Sequence, residues 1–270
     1  MKKLSFIAIA LVAMAFAGCQ LEREIDSPRN LGNSTVVASL GQATRSFLEA
    51  NGEGESASYE VYWAAPDQIL IAFAGVSPSL YTSQNSEPAQ TAAFRGTFPK
   101  GEGDLYGIYP AEDGNEVDAD GNISIAFHAE QTAVAGSYDP LASPAVAVSE
   151  SHDLSFQNVC GLLALKVGWD DATKIVLKAT TEPVAVPKAE PEAEEESVEI
   201  PGGVLTVVMG DAPEIAEYSE GLSEITLLAP SGGKFSPDET YYMVVPPCSF
   251  PYGASFIVTR AEKEELICQN

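Results

Sequence analysis

DGNISIAF, residues 120–127, decides the fold class. Ile123, Ile125 and Phe127 fall on one side of an extended chain, and Ser124 and Ala126 fall on the other. A period of two marks a strand with one buried face. Asp120-Gly121 stands just ahead of the run, and Asp-Gly favours a tight hairpin turn. The same pattern continues outward in both directions. Further strand candidates in the first half are Val36–Leu40, Tyr59–Trp63, Ile69–Phe73, Ala92–Phe98, Leu105–Tyr109, Ala145–Ser149, Leu154–Asn158 and Leu162–Val167. The second half adds Lys174–Ala179, Val204–Met209, Glu224–Leu228, Tyr241–Val245, Ala254–Thr259 and Glu264–Cys268. Gly, Pro, Asp and Asn clusters separate them, and helical patterning is nearly absent. Strands this short and this evenly spaced predict an all-β protein of sandwiches, not a parallel sheet.

The chain is long enough for about two domains. A boundary is expected near Gly168 to Thr173, after the strongly apolar run Val159–Val167 and before the strand candidate at Lys174. This predicts an N-terminal domain over 34–169 and a C-terminal domain over 170–270. The stretch 182–201 carries Glu182, Glu190, Glu192, Glu194, Glu195, Glu196 and Glu199 with Pro183, Pro187, Pro191 and Pro201. Like charges repel and proline blocks sheet pairing, so this is expected to be an extended loop within the second domain.

The first residues predict export. Lys2 and Lys3 precede a run from Leu4 to Phe16 that is apolar apart from Ser5, followed by Ala17, Gly18 and Cys19. That is the plan of a secretory signal peptide over 1–18. The run is too short to span a bilayer, which takes about 20 residues. Phe16-Ala17-Gly18-Cys19 resembles a bacterial lipobox, with Leu replaced by Phe16. The likeness implies acylation, palmitate included, of Cys19 as the new N-terminus. Residues 19–33 would then tether a soluble body to the membrane, since two or more acyl chains anchor stably.

Composition narrows the function. The chain is 45% apolar and carries a net charge of −25. The leader holds two lysines and no acids, so the mature balance is 12 basic minus 39 acidic, or −27. Such a charge speaks against nucleic acid as a partner and against electrostatic adhesion to an anionic surface. Of four cysteines, one is assigned to lipid. Cys160, Cys248 and Cys268 remain without any C-x-x-C pair, which leaves zinc and thioredoxin-like chemistry without support. Either Cys248 pairs with Cys268, or all three pack as free thiols.

Candidate catalytic motifs do not hold up. Ser231-Gly-Gly-Lys234 spells S-x-x-K, but Pro230 and two glycines make a turn where that motif needs a helix start, and its partner motifs are missing. Glu116, Asp118, Asp120 and Gly121 imitate the opening of a calcium loop, yet Phe127 stands where the closing bidentate acid belongs. His128 and His152 stand alone. No cofactor or metal is implied, and the chain is expected not to be an enzyme.

A series of short motifs runs in order from about Thr44 to Thr259. Ala43-Thr44-Arg45 precedes the body. Trp63-Ala-Ala-Pro-Asp67-Gln-Ile69 and Ala93-Phe94-Arg95-Gly96 follow, then Leu105-Tyr-Gly-Ile-Tyr109-Pro110. Gln131, Asp139-Pro140 and Ser143-Pro144 lead to Phe156-Gln-Asn158-Val-Cys-Gly-Leu162-Leu-Ala-Leu165-Lys166, and Tyr241-Tyr-Met-Val-Val-Pro246-Pro247 closes the series. In this order they resemble the fimbrillin family of Bacteroidota, lipoprotein subunits of type V pili and their surface relatives. Pro66 stands where that family usually has glycine.

The resemblance implies two tandem β-sandwich domains of immunoglobulin or transthyretin type on a lipid anchor. The implied function is a non-enzymatic fimbrial or adhesin-type subunit at the outer membrane or cell surface. It also implies processing at Arg45 by an arginine-specific protease, and assembly with other fimbrial subunits by β-strand addition. The segment Ser34–Leu40 is apolar and β-branched enough to fill a groove in the first domain. Little chain follows Ile267 to serve as a donor strand, which favours a tip, anchor or accessory subunit over a stalk subunit. The host or bacterial ligand is not named by any residue. A glycan-binding surface lipoprotein is the alternative. That reading depends on exposed aromatic rings at Trp63 or Trp169.

Overall fold

The computed structural model describes residues 33–40, 47–51, 58–65, 67–180, 199–230, 233–251, 253–260 and 263–269. The expected leader, Cys19, Arg45 and residues 182–198 of the acidic loop lie outside them. The described strands are β1 (Asn33–Leu40), β2 (Phe47–Asn51), β3 (Ser58–Tyr62), β4 (Gln68–Ala72), β5 (Ser79–Ser83), β6 (Thr91–Thr97), β7 (Leu105–Tyr109), β8 (Glu116–Val117), β9 (Ile123–Phe127) and β10 (Glu130–Thr132). They continue with β11 (Ala145–Ser149), β12 (Asp153–Asn158), β13 (Gly161–Lys166), β14 (Ala172–Ala179), β15 (Ile200–Met209), β16 (Pro213–Leu222), β17 (Glu224–Leu228), β18 (Thr240–Val245), β19 (Ala254–Arg260) and β20 (Lys263–Gln269). The only helical piece among the described residues is a 3-10 turn at Pro140–Ala142. Among those residues no helix is long and apolar enough to cross a membrane. The protein is all-β, as its periodicity predicts.

Seven strands close a barrel in the order β1-β12-β11-β7-β4-β5-β6. Beside it stand a five-stranded sheet, β10-β17-β14-β19-β20, a four-stranded sheet, β16-β15-β9-β8, and the pairs β13-β18 and β2-β3. This order differs from two consecutive sandwiches. Strands β8, β9 and β10 lie in sequence between two barrel staves, yet β9 pairs with β15 and β10 pairs with β17. β13 likewise pairs with β18. Strand pairing therefore crosses the boundary expected at 169/170.

The reason lies in one wall of the barrel. Ile69 and Ile71 of β4, Tyr109 of β7, and Ala145 and Ala147 of β11 face the barrel interior. The alternate residues Ala72, Ile108 and Val146 belong to the second core, with Leu70 and Tyr106 packed against it. Successive side chains of a strand point to opposite faces, so these three strands bury both. Their sequences show it: QILIA, LYGIY and AVAVS are nearly continuous apolar runs. The chain that leaves β7 and returns at β11 delivers β8, β9 and β10 to the second core. There Ile123, Ile125 and Phe127 are buried as their alternation requires. Two cores thus share a wall, and neither can close without it.

The turn ahead of β9 is built as Asp120-Gly121 suggested. Gly121 has φ of +87°, which favours glycine. The Asp118 carboxylate accepts from the backbone N–H of Asp120 and Asn122, each at 2.8 Å, and from Asn122 Nδ2 at 2.7 Å. These bonds hold its pKa below the ordinary aspartate value, the Asn122 side chain contributing most.

Ile108 is wholly buried in the shared wall. Ile108→Ala is expected to cost about 2–5 kcal/mol, the range for a truncated core residue. Denaturant titration should show Trp63 and Trp169 fluorescence shifting together to one lower midpoint. Two separate transitions would mean that the cores fold independently.

Candidate functional site

Trp63, Phe94, Gly96, Tyr109 and Phe156, all motif residues, lie around β1. This strand runs antiparallel to β6, with Asn33 opposite Thr97 and Ser39 opposite Thr91. On its other side it runs parallel to β12, with Val37 opposite Asp153 and Leu40 opposite Phe156. It therefore fills the slot between two staves and completes the ring, as the expectation for Ser34–Leu40 requires. Val36 and Ala38 point inward and are fully buried, while Thr35 is exposed. Burying a valine side chain contributes about 1.5–3 kcal/mol. The parallel seam is tied by Val37 N–H donating to the His152 carbonyl at 2.9 Å, and Leu40 N–H donates to the Gln90 carbonyl at 3.2 Å.

Trp63 is the anchor of this slot. Its Nε1–H donates to the Ala38 carbonyl at 3.1 Å, deep in the barrel. Its ring meets Phe94, Tyr109 and Phe156 edge-on, with centroids 5.0, 5.4 and 5.4 Å away. Edge-to-face pairs of this kind are favoured by the ring quadrupoles. One indole thus reads the backbone of β1 and packs against aromatics from β6, β7 and β12. Asp67, two residues before Ile69, is a turn acid. Its carboxylate accepts from Ala64 N–H at 2.6 Å, and its own N–H donates to the Ala64 carbonyl at 2.9 Å.

Gly96 explains the last residue of the Ala93-Phe94-Arg95-Gly96 motif. It lies between Ser34 of β1 and Tyr81 of β5 in one cross-strand row. A Cβ there would sit 2.4 Å from the Leu80 carbonyl oxygen and 2.6 Å from the Tyr81 ring. Over this bare position the Ser34 and Tyr81 hydroxyls hydrogen-bond each other. Burial pushes the Tyr81 phenol upward, and the Ser34 bond partly offsets that.

Other motif residues serve the second core. The Gln131 side chain is buried and mimics a strand partner. Its Nε2 donates to the Val244 carbonyl, and its Oε1 accepts from Val244 N–H, both at 2.8 Å. It thereby joins β10 to β18. Asp139 accepts from Thr132 N–H at 2.8 Å and from Leu141 N–H at 3.1 Å, fixing the 3-10 turn. Sequence quoted Gln131 without giving it a role. A polar residue at an inward position of a strand was the available signal.

The remaining candidates are engaged in structure. His128 Nε2 lies 2.9 Å from both oxygens of Glu112. The His152 ring lies against Phe98, centroids 5.1 Å apart and tilted by 43°. Gly233 N–H donates to the Pro230 carbonyl at 3.0 Å, a turn across the S-x-x-K stretch, of which Ser231 lies outside the described residues. Trp169 is half-buried against the second core and covered by Arg260, whose guanidinium stands 5.1 Å from the ring centroid. Arg260 Nε in turn donates to Asp171 at 2.7 Å and holds that carboxyl below its ordinary range. Trp63 is thus fully buried, and Trp169 lies half-buried beneath the Arg260 guanidinium.

Gly96→Ala is expected to force β5 and β6 apart, at the roughly 1–3 kcal/mol typical of overpacking. Hydrogen exchange at the Gln84 amide, which donates to the Ala93 carbonyl at 2.8 Å just beyond β5, should quicken more than at amides of β9 or β15. Unchanged exchange at Gln84 would show that the row has room to spare.

No family model and no curated protein matches this chain. Two solved structures are similar. One is a candidate cell adhesion protein from Bacteroides ovatus, at 13% identity and a TM-score of 0.47, covering 88% of this chain and 86% of that one. The other is a fimbrial protein from the same species, at 14% identity and a TM-score of 0.33, covering 86% of this chain and 45% of that one.

Proposed function

We propose that this chain is a non-enzymatic surface subunit of fimbrial or adhesin type, and that the β1 slot is where it joins another subunit. The observation that supports this reading most is the position of β1. A strand at the start of the described body is the stave that closes the barrel, held between β6 and β12. Arg45 follows it in sequence, five residues beyond its end. A cut there would leave β1 held to the body by non-covalent contacts: its ladder hydrogen bonds, the burial of Val36 and Ala38, the Trp63 bond and the Ser34–Tyr81 hydroxyl pair. A departing β1 uncovers two strand edges at once, and unpaired edges accept a neighbour's backbone. The incoming strand must supply small or β-branched apolar residues at the Val36 and Ala38 positions.

The rest of the proposal concerns placement. Acylation at Cys19 would hold the precursor at the outer membrane, and removal of the segment ending at Arg45 would release the body from its lipid. The order of motifs from Thr44 to Thr259 supports the same reading.

Limited digestion of the purified full chain with a trypsin-like protease tests this. Cleavage after Arg45 should leave a folded body that oligomerises or binds a synthetic peptide of residues 33–40, and Arg45→Ala should resist the cut. A cleaved body that stays monomeric and binds no strand peptide would sink the assembly role.

A further inference from the structure

Three cysteines lie beyond the proposed lipid site, and the fold treats them differently. Cys160 is the residue between Val159 and the first residue of β13. It is 7% exposed and sits in the second core. Cys248 follows β18 by three residues and packs, half-buried, against the same core. β13 and β18 run antiparallel, with Gly161 opposite Val245. The start of β13 and the end of β18 therefore meet at one end of their ladder, which carries both cysteines. Cys268 lies elsewhere, on β20, opposite Phe256 in the five-stranded sheet. Both Cys160 and Cys248 are free thiols in this structure.

The geometry points to Cys160 and Cys248 as a disulfide pair of the folded chain. Two thiols placed by one ladder into one apolar cluster have little else to react with. Burial pushes both thiols above the ordinary cysteine range, and for Cys160 the nearby Cys248 adds to the shift. Cys248, the more accessible, is then the sulfur that reacts first. Its thiolate attacks a small disulfide such as oxidised glutathione, forming a mixed disulfide and releasing one thiol. The Cys160 thiolate next attacks the Cys248 sulfur and displaces the second thiol. Two protons and two electrons leave the protein, one S–S bond forms, and the oxidant is reduced to two thiols. The link would join the end of β12, a barrel stave, to the end of β18 in the second core. It would fasten the chain leaving the barrel to the second core.

Peptide mapping decides the matter. The full chain is treated with oxidised glutathione in native buffer, denatured in the presence of an alkylating agent and digested without reductant. The expected product is a crosslinked pair of peptides carrying Cys160 and Cys248, lost on reduction, with Cys268 alkylated. Cys268→Ser should keep the crosslink, and Cys248→Ser should abolish it. Oxidation should also raise the denaturant midpoint of the parent chain and leave Cys248→Ser unmoved. A Cys248–Cys268 crosslink, or alkylation of all three cysteines after oxidant treatment, overturns the pairing.

Discussion

A barrel is free of edges only while every stave is present, and here one stave comes from the start of the body. β1 lies between β6 and β12, which pair with it and not with each other. Take it away and both present unpaired N–H and C=O groups. The interior suffers at the same time, because Val36 and Ala38 are part of it and Trp63 spends its only side-chain N–H on the Ala38 carbonyl. Ring closure, core packing and the central aromatic cluster therefore depend on one segment. That dependence makes β1 structural, and the proposed function turns the same segment into an exchangeable one once the chain beyond it is cut. Its parallel seam with β12 is the weaker side, since parallel pairing is slightly less stable per residue.

The second core depends on the barrel in turn. β4, β7 and β11 present Ile69, Ile71, Tyr109, Ala145 and Ala147 to one side and Ala72, Ile108 and Val146 to the other. A strand edge opened at β6 or β12 lies outside this wall, although β12 pairs directly with β11 and only β5 separates β6 from β4. The proposed exchange of β1 requires the wall to hold the second core in place while β1 is absent.

How much of this was legible depended on what each residue buries. The alternation of Ile123, Ile125 and Phe127 named β9, and the doubled apolar runs of β7 and β11 marked their places to the residue. Ser34–Leu40 was readable as a strand because it is apolar and β-branched, while the groove it fills came from the family resemblance and not from the residues themselves. β16 escaped notice: it is an exposed edge strand carrying Glu214, Glu217 and Glu220, where burial imposes no pattern. β5 hid behind Ser79, Thr82 and Ser83, with Tyr81 alone fully buried. The order of strands was out of reach altogether. Nothing in the residues of β8 to β10 says that they pair with β15 and β17, because partner choice is a property of the shared wall and not of local sequence. Gly96 was visible as part of a motif, but its cause, the Leu80 carbonyl and the Tyr81 ring, appears only when three strands are assembled.

The central claim is that β1 is a removable stave, and hydrogen exchange measures it most directly. Amide exchange would be followed across β6, β12, β9 and β15 in the intact chain, in a chain lacking residues 33–40, and in that chain with saturating 33–40 peptide. The account predicts that protection falls in β6 and β12 when the segment is missing, holds in β9 and β15, and returns to β6 and β12 with the peptide. Equal protection of β6 and β12 with and without residues 33–40 would contradict it.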